Sequence, residues 1–331
     1  MKRGLTDIID AKRGTTQISK IMRGVFLIWQ KVVDLYNLFK QRVLSDGGTF
    51  IENPIVFNNE SLLLSPNAFK AGKLYSAIPN DGAGDFTVDR NSTATYIGQD
   101  GLIKTALANV PRIDWRTGVP VVLIEAQGAN LIGNSESLLL EFTFGGDLIT
   151  EDVDIAPDGN LTSDRLKTDS RWIYSSIEVL ESTTYTFSFY CKNNGGTTAN
   201  LAIYDNSNDA FINSEVSYFN QINNSEYSRV TFVFTTPIGS TSVRLYVSRS
   251  EGLSGDRFLW GVQLEQASTA SSYIPTNGTT VTRLADNISV PTPTGVTSIT
   301  ETIDGVDQNP ITTIPATYSL PVGNINKVKI L

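Results

Sequence analysis

Through the middle of the chain, apolar side chains recur at every second position in short runs, and Asn, Gly, Ser and Asp separate the runs. In residues 184–192, Phe187, Phe189 and Cys191 alternate with Ser188 and Tyr190. A period of two places one set of side chains on each face of a strand. The pattern predicts strands over residues 160–166, 172–178, 184–192, 200–204, 229–235, 242–248 and 258–263. Strands of this length with turn residues between them argue for a β-sandwich, specifically a jelly roll, over residues 131–288. Its two sheets are expected to meet through Phe187, Phe189, Val230, Phe232, Phe234, Leu245, Val247, Leu259 and Val262.

Outside this region the writing changes. Residues 70–130 hold shorter runs, with Phe86, Val88 and Arg90 alternating and turn signals at Asp81-Gly82 and Asp100-Gly101, which predicts a flanking region of antiparallel strands. Within residues 1–69, the stretch 15–32 reads as a β-hairpin: Ile18 and Lys20 alternate with Ser19 and Ile21, Arg23-Gly24 makes the turn, and residues 25–29 form the second run. Val32, Leu35, Tyr36, Phe39 and Val43 then fall at helical spacing and predict a helix of about a dozen residues. Its stripe either packs on its own chain or forms a three-helix seam in an oligomer. Residues 289–331 alternate at 296–303 and 325–330, so a small C-terminal β appendage is expected. The fold class is therefore mainly β: a jelly-roll β-sandwich with an N-terminal β-hairpin, a short helix and that appendage.

Composition narrows the chemistry. The chain has no histidine, which excludes His-based triads and His-based zinc sites and leaves carboxylate chemistry and oxygen-ligated calcium. Its single cysteine, Cys191, allows no intrachain disulfide. Residues 1–44 hold nine Lys or Arg against three acids, a net +6, so with −8 overall the remainder carries −14. A basic end on an acidic body points to an acidic partner for that end, or to a solvated arm. No recognition motif accompanies the basic residues, so nucleic acid is not the expected partner. The apolar run 25–29 is too short for a secretory signal, and no run reaches the roughly 20 residues that span a bilayer, so no membrane insertion is expected.

Three strings carry a resemblance. They are AGKLYSAIPNDGAGDFTVDRNSTATYIGQDGLIKTALANVPRIDW (residues 71–115), LIEAQGANLIGNSE (123–136), and LWGVQLEQ with SYIPT and VTRLAD (within 259–286). Together they resemble a module of tailed-bacteriophage structural proteins, fibres and decoration proteins, in which a carbohydrate-binding-like jelly roll lies between a DFxxxRxSTAT strand and a closing TRxAD strand. The stretch ending RGVFLIW is similar to short attachment hairpins that precede this module. Asp89 and Ala129 depart from the pattern, standing where Ser or Thr and a polar residue are more usual. The resemblance implies a non-enzymatic virion protein, assembled in the host bacterial cytoplasm. It further implies anchorage to other virion proteins through residues 1–44, a homotrimer, and display of the jelly roll for adsorption to host-surface or mucus glycans. A purely architectural subunit with no glycan binding is the competing reading, and a glycan depolymerase a remote one.

The candidate residues fall into two groups. Arg90, Glu265, Arg283 and Asp286 belong to the structural motif, and the two arginines are expected to pair with Asp85, Glu125, Glu265 or Asp286 and pin the flanking strands, since guanidinium forks suit partly buried carboxylates. The exit strand near Asp286 is expected to pair close to residues 85–96. For glycans, the chemistry asks for aromatic faces and nearby hydrogen-bonding groups. Arg171, Trp172, Tyr174, Tyr204, Asp205 and Asn206 are the candidates, against the plainer reading that Trp172 and Tyr174 are core. The loops 205–209 and 152–154 are rich in Asp and Asn and offer oxygen ligands for calcium, although neither follows the EF-hand pattern and both read equally as polar turns. No other cofactor is expected.

Overall fold

The computed structural model describes residues 22–55, 60–143, 148–167, 173–249 and 255–331, with backbone only for 22–31. These residues fall into two compact units that cut across the expected order of segments. The described residues up to Thr87 join Ile288–Ser319 and Ile325–Leu331, while Val88–Asn287 join Leu320–Asn324. Among the described residues, no helix is long and apolar enough to cross a membrane.

In the first unit, helix Met22–Ser45 replaces the expected hairpin from Met22 onward, and residues 15–21 lie outside the described residues. The run 25–29 continues the helical stripe backward from Val32, so one Gly24 in a long helix, a cost of about 1 kcal/mol, did not suffice as a turn. Phe39 and Val43 are fully buried against Ile55, Leu63, Ala68, Tyr75 and Ala77. Phe39 and Val43 thus spend their part of the stripe on their own chain, while Leu35 stays 38% exposed. At the helix end, Arg42 donates to Asp85 Oδ2 at 2.8 Å and to the Ser76 carbonyl at 2.6 Å. The C-terminal strands are β as expected, and they are built into the sheet rather than hanging from it. Ile299–Ile303 pairs with Gly323–Ile330, whose end pairs with Leu62–Lys70 through Leu62↔Ile330 and Leu64↔Val328.

The second unit contains the sandwich. A five-stranded antiparallel sheet runs Ile149–Ile155, Leu161–Lys167, Asp256–Glu265, Thr184–Asn194, Ser228–Thr235, and a four-stranded one runs Ile173–Glu178, Ser242–Ser248, Asn200–Asp205, Ala210–Ser217. Each of the seven expected strands is present to within two residues, while Ile149–Ile155 and Ala210–Ser217 were not expected. All nine residues expected in the core are there, Phe232 only partly buried, and Cys191 joins them at 0% exposure. Phe187 and Phe189 meet at 5.4 Å, and Phe189 meets Tyr218 edge-on at 5.3 Å. Burying each such ring stabilises the fold by about 2–3 kcal/mol.

The strand Asp256–Glu265 does not alternate simply. Its pairing with Thr184–Asn194 shifts between Ser188↔Gln263 and Tyr190↔Trp260, and Gly261 sits there at φ +65°. The bulge resets the phase, so Leu259, Val262 and Leu264 all face the core while Trp260 turns outward onto Tyr273, 4.5 Å away. A Cβ at Gly261 would meet Tyr190 at 3.1 Å and Tyr273 at 3.3 Å. Gly261→Ala is expected to cost about 1–2 kcal/mol from the left-handed backbone alone. A urea melt of the variant that matched the parent would refute this account of the bulge.

Asp164, beside this strand, is only 1% exposed and accepts backbone N–H bonds from Leu138 (2.7 Å) and Asp152 (3.1 Å). Burial pushes its carboxyl up to about 6 from 3.8 despite those bonds. The folded state then holds a proton that the unfolded state has released, so this group's contribution to stability falls as pH rises through 6 and grows as pH drops toward 4. The stability difference between the parent and Asp164→Asn should therefore depend on pH between 4 and 7, and a pH-independent difference in thermal melts would count against it.

Candidate functional site

The four-stranded sheet turns one face to the core and the other outward. In Ser242–Ser248, Val243, Leu245 and Val247 are core, so Arg244 and Tyr246 project from the opposite face. Register places Tyr174 and Ala202 beside Tyr246, and Ser176 and Tyr204 beside Arg244, and Tyr204 is paired in turn with Phe211. The result is a continuous platform. Tyr174 and Tyr246 lie 5.1 Å apart and Tyr204 and Phe211 4.8 Å apart. The Arg244 guanidinium sits 4.9 Å from the Tyr174 ring and 5.5 Å from the Tyr204 ring, and that of Arg249 3.8 Å from the Phe211 ring.

Tyr246 is almost fully buried beneath this surface, whereas Tyr174 and Tyr204 are half-buried and Phe211 is 39% exposed. Tyr174 is therefore on the outer face and not in the core. Rings held this way offer faces to the C–H surfaces of a pyranose, and guanidinium edges offer fixed donors to hydroxyls or carboxylates. The Tyr204 hydroxyl donates to Asp209 Oδ1, and this bond raises its pKa.

The other expected glycan residues divide. Arg171 and Trp172 lie outside the described residues. Asp205 does not join the platform: it is 1% exposed and faces inward. Its Oδ1 accepts from the backbone of Ser207 (2.9 Å) and Asn208 (3.2 Å), and its Oδ2 from Asn208 Nδ2 (2.7 Å) and Ser240 Oγ. It is the anchor of a turn, because a carboxylate next to consecutive backbone N–H groups closes the loop from within. Asn206 likewise donates to Ser242 Oγ at 3.0 Å. With Asp205 so engaged, loop 205–209 reads as a polar turn. Among the described residues no three His, Cys, Asp or Glu side chains converge as a metal-holding group. Arg244, Tyr246, Phe211 and Arg249 were not anticipated. The alternation in SVRLYVS contains the signal for the first two.

A second constellation lies in the flank of the same unit. Arg90, Arg112 and Arg283 are all at most 2% exposed and converge on Glu125 and Asp286. Asp286 Oδ1 accepts from Arg90 Nη1 at 2.8 Å, and its Oδ2 accepts from Arg112 Nη2 and from the Glu125 backbone N–H at 3.0 Å. Glu125 pairs with Arg112 at 2.7 Å and with Arg283 at 3.5 Å. Burial opposes its ionisation, but Arg112 and Arg283 prevail and hold its carboxyl at about 2. Of the expected motif residues, Arg90, Arg283 and Asp286 meet here. Glu265 instead accepts from Ser271 N at 2.9 Å and from Ser271 Oγ. Asp85 belongs to Arg42. The exit pairs in two stretches: Val281–Arg283 with Gly128–Asn130, and Asn287–Pro291, directly after Asp286, with Phe86–Asp89, inside the expected residues 85–96, where the side chains of Arg90 and Ser92 add to the link. This constellation is a structural clamp, with every carboxylate committed to protein donors.

Residues 142–251, which contain the whole four-stranded sheet, match the carbohydrate binding domain family CBM_4_9. No curated protein matches the chain. Among solved structures, the chain is similar to a CBM4 module at 20% identity and a TM-score of 0.27, covering 32% of this chain and 72% of that one. It is similar to the CBM22-1–CBM22-2 tandem domain of Paenibacillus barcinonensis Xyn10C at 11% identity and a TM-score of 0.33, covering 62% and 85%. It is also similar to the enzymatically active domain of tailspike protein 4 of bacteriophage CBA120, at 17% identity and a TM-score of 0.31, covering 41% of this chain and 21% of that one. The match to a carbohydrate binding domain thus covers residues 142–251 of a mainly β chain.

Proposed function

We propose that this chain is a non-catalytic virion structural protein of a tailed bacteriophage, a fibre or decoration protein that displays its sandwich for adsorption to host-surface or mucus glycans. The observation that carries the binding half is the outward platform of Tyr174, Tyr204, Phe211 and Arg244, which lies within the segment that matches a carbohydrate binding domain. The virion half rests on the three motif strings, whose arginines and aspartate form the clamp. In this reading residues 1–44 attach to other virion proteins and the virion is its location. A homotrimer would be held by helix positions such as Leu35 and Leu38, exposed by 38% and 51%.

The test is a glycan array with the full chain, followed by titration of the best hits, alongside reducing-end release from the same glycans. Saturable binding without release is expected. Absence of binding at millimolar glycan would favour the purely architectural subunit, and sugar release would favour a depolymerase.

A further inference from the structure

We infer that the opposite side of the sandwich carries a second, separate sugar site, selective for an acidic pyranose residue. A cavity of about 180 Å³ opens where the hairpin of Ala94–Ile97 and Ile103–Ala106 covers the outer face of the five-stranded sheet. Its walls include Tyr96, Tyr190, Tyr273, Arg116 and Arg229. It is smaller than a drug-sized pocket and of the scale of one sugar ring.

The aromatic wall is rigid. Tyr190 packs 5.7 Å from Trp260 and 6.4 Å from Tyr273, whose hydroxyl is committed to Ser135 and Glu136. The charge is what selects the ligand. Arg229 lies 5.4 Å from the Tyr190 ring and donates to the Ser271 carbonyl and to Ser188 Oγ (3.1 Å), both neutral acceptors. No carboxylate pairs with it among the described residues, and its Nε is buried without a hydrogen bond. In a chain of net charge −8, a half-buried arginine facing a cavity with no acidic residue in its lining is an uncompensated cation.

Arg116 adds to this. Its Nε and Nη2 neutralise Asp114, at 2.9 and 3.0 Å, which leaves Nη1 unspent. The hydroxyls of Tyr96 and Tyr190 make no hydrogen bond to the protein among the described residues. Unspent donors, aromatic faces and one unbalanced positive charge fit a hydroxylated ring bearing a carboxylate, because an ionised acceptor on a guanidinium forms the stronger class of hydrogen bond. Nothing in this site overlaps the Tyr174–Phe211 platform.

Calorimetry on the full chain tests it, with sodium glucuronate, glucose and sodium acetate as probes. Glucuronate should bind saturably, at least about tenfold more tightly than either control, as one charge-assisted contact implies. Arg229→Gln should abolish that preference. Tyr96→Phe, which removes one hydroxyl and no packing, should weaken glucuronate by about threefold or more with unchanged melting, so the site stays testable if Arg229→Gln folds poorly. A Tyr204→Ala background, with the other platform disabled, should leave glucuronate binding intact. Glucuronate binding no better than glucose or acetate, or unchanged by Tyr96→Phe and by a folded Arg229→Gln, would overturn the inference.

Discussion

Replacing Asp286 by alanine should destabilise the second unit by about 3–5 kcal/mol, the cost of leaving buried charges without their partner. Asp286 is the shared acceptor of Arg90 and Arg112, each with a side chain at 0% exposure, and its own side chain is 1% exposed. Neither guanidinium can turn to water when the carboxylate goes. Arg90 is held by the carbonyls of Ser92, Leu107 and Val110, and Arg112 by Thr95 and Ser272. At about 2–4 °C per kcal/mol for a domain of this size, the melting temperature should fall by roughly 6–20 °C. Asp286→Asn keeps an acceptor but loses the charge, so it should lie between parent and Asp286→Ala. Near-ultraviolet circular dichroism follows the transition through Trp260, which donates to Thr162 from the sandwich itself. A fall of less than about 3 °C for Asp286→Ala would mean that the arginines are compensated elsewhere.

The clamp also separates what sequence alone reveals from what it does not. Arg90, Arg283 and Asp286 were legible because charged residues inside alternating strands have few places to go, and burial forces them to pair. Arg112 was missed because it precedes a two-residue strand, Ile113–Asp114, too short to show a period. The exit was legible in part: Asn287–Pro291 pairs with Phe86–Asp89, inside the expected residues 85–96. Val281–Arg283 pairs instead with Gly128–Asn130, which no alternation in a three-residue strand announces.

The sandwich was legible where one face is wholly apolar, as in Tyr185, Phe187, Phe189 and Cys191, and illegible where it is not. Ala210–Ser217 pairs through two register shifts and exposes most of its residues, so no clean alternation survives in AFINSEVS. Phe211, an edge of the glycan platform, was lost with it. The N-terminal error has the opposite origin. An apolar run of five residues is compatible with a strand or with a buried helix turn, and the continuation into Val32, Tyr36 and Phe39 decides it.

On the glycan platform, the largest losses are expected from Tyr204→Ala and Arg244→Ala. Tyr204 is the ring between Phe211 and Arg244, and Arg244 is the guanidinium between Tyr204 and Tyr174, so each change opens the surface at its centre. Affinity for a glycan identified on the array should fall by about tenfold to a hundredfold in each, the size of a central contact in a binding surface. Tyr204→Phe keeps the ring and gives up only the bond to Asp209, so it should stay within about threefold of the parent. The contrast matters because it distinguishes ring stacking from hydroxyl donation. Stability supplies the second axis. Tyr204 and Arg244 sit on the outward face, so their variants should melt close to the parent, whereas Asp205→Ala, which removes the acceptor of four bonds inside the adjoining turn, should lower the melting temperature. If Tyr204→Ala and Arg244→Ala bind as well as the parent, the glycan is held elsewhere and the platform is a surface of the sheet with no part in adsorption.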